Sequence, residues 1–163
     1  MILSPLPPGI GPFHPAVLIA TGLGSGRLPG WPGTWGSLAA LPLAWLLQGW
    51  LGPVGLAGAA LLAFLVGCWA SGVYVAAGPD SDPDPSPVVI DEVSGQWLTL
   101  VVAPREIAWY ALGFALFRLF DILKPWPISW LERRVPGALG IMIDDVAAAA
   151  FAMAILVLAV NWV

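Results

Sequence analysis

Residues 55–77 form a run of 23 positions without a charged side chain. As a helix, that run is long enough to cross the roughly 30 Å of hydrocarbon in a bilayer. The whole chain leans the same way. It is 59% hydrophobic and 10% charged, with a mean hydropathy of +0.87. A soluble domain carries about 25% charged residues, so these few charges cannot coat a globule, and lipid is the expected solvent. The 10 Trp residues suit anchoring at headgroup level. At 163 residues the chain reads as one domain, 1–163, of class all-α: a small polytopic membrane helical bundle.

Other classes fall away quickly. Net charge is −4 with no basic block, so nucleic acid is not an expected partner. Cys68 is alone inside an apolar stretch and reads as a small packing residue, which excludes an internal disulfide. Residues 1–15 hold no basic residue and four prolines before Phe13, which predicts an extended arm and not a signal peptide. His14 reads as a loop or capping residue.

Residues 21–37 are crowded with Gly, Pro, Ser and Thr, so a Gly/Pro-rich N-terminal loop is expected there. Gly22-Leu23-Gly24 lacks the third glycine and the preceding strand of a dinucleotide fingerprint. Two readings stand side by side. One is a flexible lead-in to a helix. In the other, backbone N–H groups and the hydroxyls of Ser25, Thr34 and Ser37 cradle an anion at a helix N-terminus; Arg27 favours this second reading. A helix is expected from Gly36 or Ser37 to Trp50, a turn at Gly52-Pro53, then the run 55–77. Residues 78–87 read as a polar loop whose Asp80, Asp82 and Asp84 are mainly solvated.

Carboxylates then appear where lipid should be. Asp91 and Glu92 stand in the apolar stretch 88–102, and Asp144 and Asp145 stand at the expected N-terminal end of the last apolar run. A run starting at Glu106 or Ile107 ends on Arg118, Asp121 and Lys124, which helical spacing stacks on one face before Pro125 and Pro127 stop the helix. Ile128 to Val135 reads as a short interfacial helix. Acids at membrane depth are costly and are kept for a partner cation or a function. A helix N-terminus stabilises one such acid well and a pair less well.

Counting crossings brings the acids together. The hairpin of the first two runs returns the chain to its starting side, so Asp91 and Glu92 lie there. The third run crosses to Arg105, the fourth returns to Asp121 and Lys124, and Asp144 and Asp145 enter the last run from the same side. Arg27, Arg118, Lys124, Arg133 and Arg134 share that face against Arg105 alone, which makes it cytoplasmic. Five carboxylates and a lysine facing one another suit a hard cation such as Mg²⁺, which takes oxygen ligands and a substrate phosphate. No cysteine or serine nucleophile motif is present, which favours direct attack by water. A proton or ion transporter would use similar acids, but near mid-span and with exits on both faces. A non-catalytic scaffold gives no reason for the acids.

At these residues the chain resembles the bacterial phosphatidylglycerophosphatase A family. The resemblance rests on four blocks in family order: Thr21 to Gly26 with Pro32-Gly33-Thr34 and Gly36-Ser37; Ile90-Asp91-Glu92-Val93; Phe117-Arg118 through Asp121 to Lys124-Pro125-Trp126-Pro127; and Gly140 to Val146 around Asp144-Asp145. It implies an all-helical, Mg²⁺-dependent lipid phosphatase in the bacterial cytoplasmic membrane, hydrolysing phosphatidylglycerophosphate, an anionic phospholipid, to phosphatidylglycerol. Carried onto this chain, Asp91, Asp121, Asp144 and Asp145 become metal ligands or water-activating groups. Glu92 binds the ion or orients a group that does, and Lys124 pairs with phosphate. Ser25, Arg27, Thr34, Ser37 and Arg118 are expected to contact the substrate. The chain departs from the family pattern at Ser94 and Gln96, where apolar residues are expected, and at residues 28–31.

Overall fold

The computed structural model describes residues 3–79 and 82–162, and among these every regular element is helical. Asp80 of the acidic loop and the first two residues of the N-terminal arm lie outside the described residues. Helix α1 is Pro15–Ala20, where Pro15 takes the first helical position and His14 Nδ1 accepts the Ala16 N–H at 3.2 Å. His14 is therefore a helix cap. A short 3₁₀ turn, Ser25–Arg27, follows.

Helix α2 is Pro32–Ala76. It begins four residues before the expected start at Gly36. Proline is favourable at a first helical position because its φ is already set and its missing N–H has no partner to lose there. The Gly, Pro and Thr residues read as loop formers thus belong to the first turn. Within α2, Gly52 has φ 69° and ψ −176°, a backbone geometry open chiefly to glycine. There the helix reverses. Along residues 32–51, contacts with α3 (Ile90–Leu100) advance together. Gly33 lies against Glu92, Ala40 O accepts the Trp97 indole N–H at 3.0 Å, and the Gln48 amide donates to Ala103 O at 2.9 Å. Along residues 53–76 they run backwards. Leu56 packs in a cluster with Leu100 and Ala103, Ser94 Oγ donates to Ala60 O at 3.1 Å, and Gly67 abuts Ile90. The two arms hold α3 between them.

Helix α4, Ile107–Leu123, returns toward the acids. Its Tyr110 lies at Gln48, its Phe117 against Gly95, and its Arg118 against Gly33. A short α5, Ile128–Arg134, falls within the stretch from Ile128 to Val135 where a short helix is expected. Helix α6, Gly137–Trp162, starts seven residues before Asp144, so the acid pair stands about two turns inside the helix and not at its first turn. It runs the length of the bundle from Met142 at Gly67 to Leu156 at Gly113.

The apolar surface faces outward. Helices α2 and α6 are long and apolar enough to cross a bilayer, and only 17% of the most apolar window of α2 is buried. Leu61, Leu62 and Leu65 are each more than half exposed. A soluble protein would hide such a surface, whereas lipid solvates it. Exposed tryptophans mark both ends, Trp31 and Trp126 at the acids and Trp50 and Trp162 opposite. The protein is a helical membrane bundle.

Candidate active site

At the acid end a cavity of about 510 Å³ opens between the start of α2, the loop before α3, and helices α3, α4 and α6. Asp91, Glu92, Asp121, Lys124, Asp144 and Asp145 all line it, together with Arg118 and Thr34. Local sequence explains each wall. Gly33 lets α2 approach, because a Cβ there would collide with the Glu92 carboxylate and crowd the Arg118 guanidinium. Gly95 performs the same service between α3, Phe117 and the backbone of Asp145.

The five acids divide into two kinds. Asp91, Glu92 and Asp145 each present one carboxylate oxygen, and these oxygens all lie within 4.8 Å of one another. Asp91 Oδ1, Glu92 Oε2 and Asp145 Oδ2 are buried with no hydrogen-bond partner. Three carboxylates so close repel one another, and a buried acceptor without a partner costs about 1–3 kcal/mol or more when charged. The other two acids are matched by cations. Asp121 forms an ion pair with Arg118, whose Nη1 also stands 3.6 Å from Glu92 Oε1. Asp144 Oδ2 accepts from Lys124 Nζ at 2.7 Å, and Asp144 Oδ1 accepts the Asp145 N–H at 3.0 Å.

Lys124 differs from its sequence reading. It is not the third member of a helical stripe, because it caps α4 in a left-handed conformation, φ 43° and ψ 56°. Pro125 behind it disfavours helical geometry, and the turned backbone swings Nζ to Asp144 and, at 2.7 Å, to Glu132 of α5. Burial alone would lower the lysine pKa, but hydrogen bonds and charge from Asp144 and Glu132 outweigh it and hold the ammonium above the ordinary lysine range.

The loop residues part company. Thr34 lines the cavity. Ser25 and Ser37 do not: Ser25 Oγ donates back to Thr21 O at 3.4 Å, and the fully buried Ser37 donates to Gly33 O at 2.9 Å. Arg27 is likewise outside, its Nε donating to Ser4 O at 3.1 Å. Three residues that sequence reading did not single out join the site. Asp84 and Ser86, from the loop read as mainly solvated, line the cavity, and Glu132 shares the Lys124 ammonium. No local pattern distinguishes Asp84 from Asp82. Glu132 carries the ordinary signature of an interfacial helix.

Comparison with known proteins places the chain among phosphatases. The family model described as phosphatidylglycerophosphatase A matches residues 18–160. A phosphatidylglycerophosphatase A of Escherichia coli K12 is 40% identical over 149 residues, 89% of this chain and 81% of the relative. One from Haemophilus influenzae is 37% identical over 154 residues, 92% and 91% of the two chains. A candidate phosphatidylinositol-3-phosphatase of Bacteroides thetaiotaomicron is 37% identical over 152 residues, 90% and 94%. No solved structure matches. With a family match across nearly the whole chain and all the acids of the four sequence blocks gathered at one cavity, this chain belongs to the phosphatidylglycerophosphatase A family of phosphatases.

Proposed function

We propose that the protein hydrolyses phosphatidylglycerophosphate to phosphatidylglycerol and phosphate at this cavity, with Mg²⁺ as cofactor. The observation that carries the reading is the trio of unpartnered buried oxygens on Asp91, Glu92 and Asp145. Their donor chemistry fits a hard divalent cation: carboxylate oxygen only, mutually close, and offset by positive charge only at Glu92, whose other oxygen stands 3.6 Å from Arg118. Asp121 and Asp144, each already matched by a cation, complete the acidic wall and orient Arg118 and Lys124. When bound, the ion supplies a Lewis acid for a phosphoryl oxygen.

The chain's own groups do the rest. Lys124 and Arg118 place positive charge at the cavity, where a phosphate monoester brings negative charge that its transition state spreads over three phosphoryl oxygens and the departing oxygen. A water attacks phosphorus as a carboxylate of the cavity takes its proton, the bond to the glycerol oxygen breaks, and the proton passes to that oxygen, giving the alcohol and inorganic phosphate. The Thr34 hydroxyl is available as a donor to a phosphate oxygen. The carboxylates are largely buried, so these charges act at lower dielectric than in bulk solution.

The test is phosphate release by the purified protein from phosphatidylglycerophosphate. Activity should vanish with a chelator and return with Mg²⁺; release that persists after chelation would remove the ion from the reading. The transporter alternative predicts ion flux in liposomes, and the grouping of acids at one end of the bundle disfavours it. For location we propose the bacterial inner membrane with the cavity facing the cytoplasm, because Arg118, Lys124, Arg133 and Arg134 gather at that end and Arg105 at the other. With Cys68 replaced by alanine, single cysteines at Arg105 and Arg134 should label from opposite faces. Labelling from the same face would refute the orientation.

A further inference from the structure

We infer that the seam between residues 32–51 of α2 and helix α4 receives an acyl chain of the lipid whose phosphate enters the cavity; this rests on the phosphatase reading above. On the edge of the cavity where these helices meet, Gly33 lies against Arg118. Trp31, two residues before Gly33, and Ile122, one turn beyond Arg118, both line the cavity and are 74% and 67% exposed. The rest of the lining is rich in ionisable and polar groups. A pair of exposed apolar side chains on a polar rim marks the edge by which an amphiphile enters.

The same seam opens again toward the opposite end. Leu41, Pro42 and Trp45 of α2 face Ile107, Tyr110 and Ala111 of α4 across an apolar groove of about 270 Å³. Helical register joins the two openings. On α2, Thr34, Leu38, Leu41 and Trp45 follow one face at intervals of four, three and four. On α4, Arg118, Phe114, Ala111 and Ile107 do the same in reverse. Each stripe starts at the cavity with a polar residue and ends in the groove with an apolar one, and the groove begins roughly 10 Å beyond Thr34. A phosphate in the cavity sets the glycerol between Trp31 and Ile122. A chain leaving that rim along the seam then lies parallel to the helices. The rival hollow, about 220 Å³, lies between Ala57 and Phe64 of α2, Ser94 and Leu98 of α3, and Ile143 and Val146 of α6; it shares α3 and α6 with the cavity, but none of its lining residues reaches the rim at Trp31 and Ile122.

The test compares long-chain and short-chain forms of one lipid phosphate in mixed micelles, read as the ratio of their kcat/KM values. Ala111→Phe fills the groove from an exposed position and should lower the long-to-short ratio about tenfold, the low end of what one methylene is worth in an apolar pocket. Ala111→Leu should move it less and in the same direction. Ala57→Phe, which fills the rival hollow, should leave the ratio where it is. An unmoved ratio in both Ala111 variants, or a fall in Ala57→Phe, overturns the assignment. If the wild-type protein releases no phosphate from either lipid, the phosphatase reading itself fails and this inference with it.

Discussion

The two ends of the bundle handle buried polar groups in opposite ways. At the end away from the acids, Gln48 is fully used: its Nε2 donates to Ala103 O at 2.9 Å and reaches Leu100 O at 3.4 Å, and its Oε1 accepts the Tyr110 hydroxyl at 2.7 Å. Arg105 donates to Trp45 O at 3.0 Å and lies 4.8 Å over the Trp45 ring. At the acid end, three carboxylate oxygens have no partner. Both ends are built from the same helices, so the difference is not one of fold quality. A satisfied network fastens the bundle, whereas an unsatisfied one stores a cost that a positive partner relieves.

The widest separation of the two ends should come from Asp145→Asn and Asp91→Asn. Each removes one charge from the close trio and nearly preserves shape. Phosphate release should fall at least about a hundredfold, the scale of losing one preorganised charge-stabilising group. Thermal stability in the presence of a chelator should hold or rise, because a repelled buried charge is gone. A large loss of stability in chelator alongside the loss of activity would mean that these acids fasten the fold and would erase the contrast.

Gln48→Leu reverses the expectation. It strands the Ala103 carbonyl and the Tyr110 hydroxyl in a dry site, so unfolding free energy should drop by about 1–3 kcal/mol. The kcat of the folded fraction should stay the same, because the network lies at the far end of the bundle. A fall in kcat with unchanged stability would show that the far end is coupled to the chemistry, in which case the bundle could not be treated as two independent halves.

How much of this was legible in sequence follows the same division. Convergence of the acids was readable because it needs only the number of helical passes, and the Gly52-Pro53 reversal, the stop at Pro125 and the run 55–77 fix that number. Helix starts were less legible. Pro32 and Gly137 look like turn residues in isolation, yet both stand at helix starts, where their backbone habits are tolerated. The sorting of five acids into three that each leave a buried oxygen without a hydrogen-bond partner and two that are held closely by cations was not legible at all. It depends on Lys124 leaving the helical stripe and on how near α3 comes to α6, distances between elements that no local spacing encodes. For the same reason Ser25, Arg27 and Ser37, polar and near the right place in sequence, find backbone partners outside the cavity, while Asp84 and Ser86 are folded in from a loop.

The smallest expected effect tests the border between the two kinds of acid. Lys124 is shared by Asp144, whose side chain is 7% exposed, and Glu132, whose side chain is 43% exposed. The exposed partner is screened by solvent, so its ion pair contributes little, on the order of 0–1 kcal/mol. Glu132→Gln should therefore raise KM for the lipid phosphate only about two- to threefold, with kcat unchanged, and added salt should shrink the difference. The sign of the pH response follows from the raised lysine pKa. A base held above its ordinary value keeps its ion-pair contribution at every pH below that value and loses it only as pH rises through the folded-state pKa. Neither wild type nor Glu132→Gln should then show a lysine inflection between about pH 6 and pH 9, because buried Asp144 still holds the ammonium when Glu132 is gone. An alkaline loss of substrate binding in that window, confined to the variant, would make Glu132 the dominant partner and would move the effective boundary of the site outward onto α5.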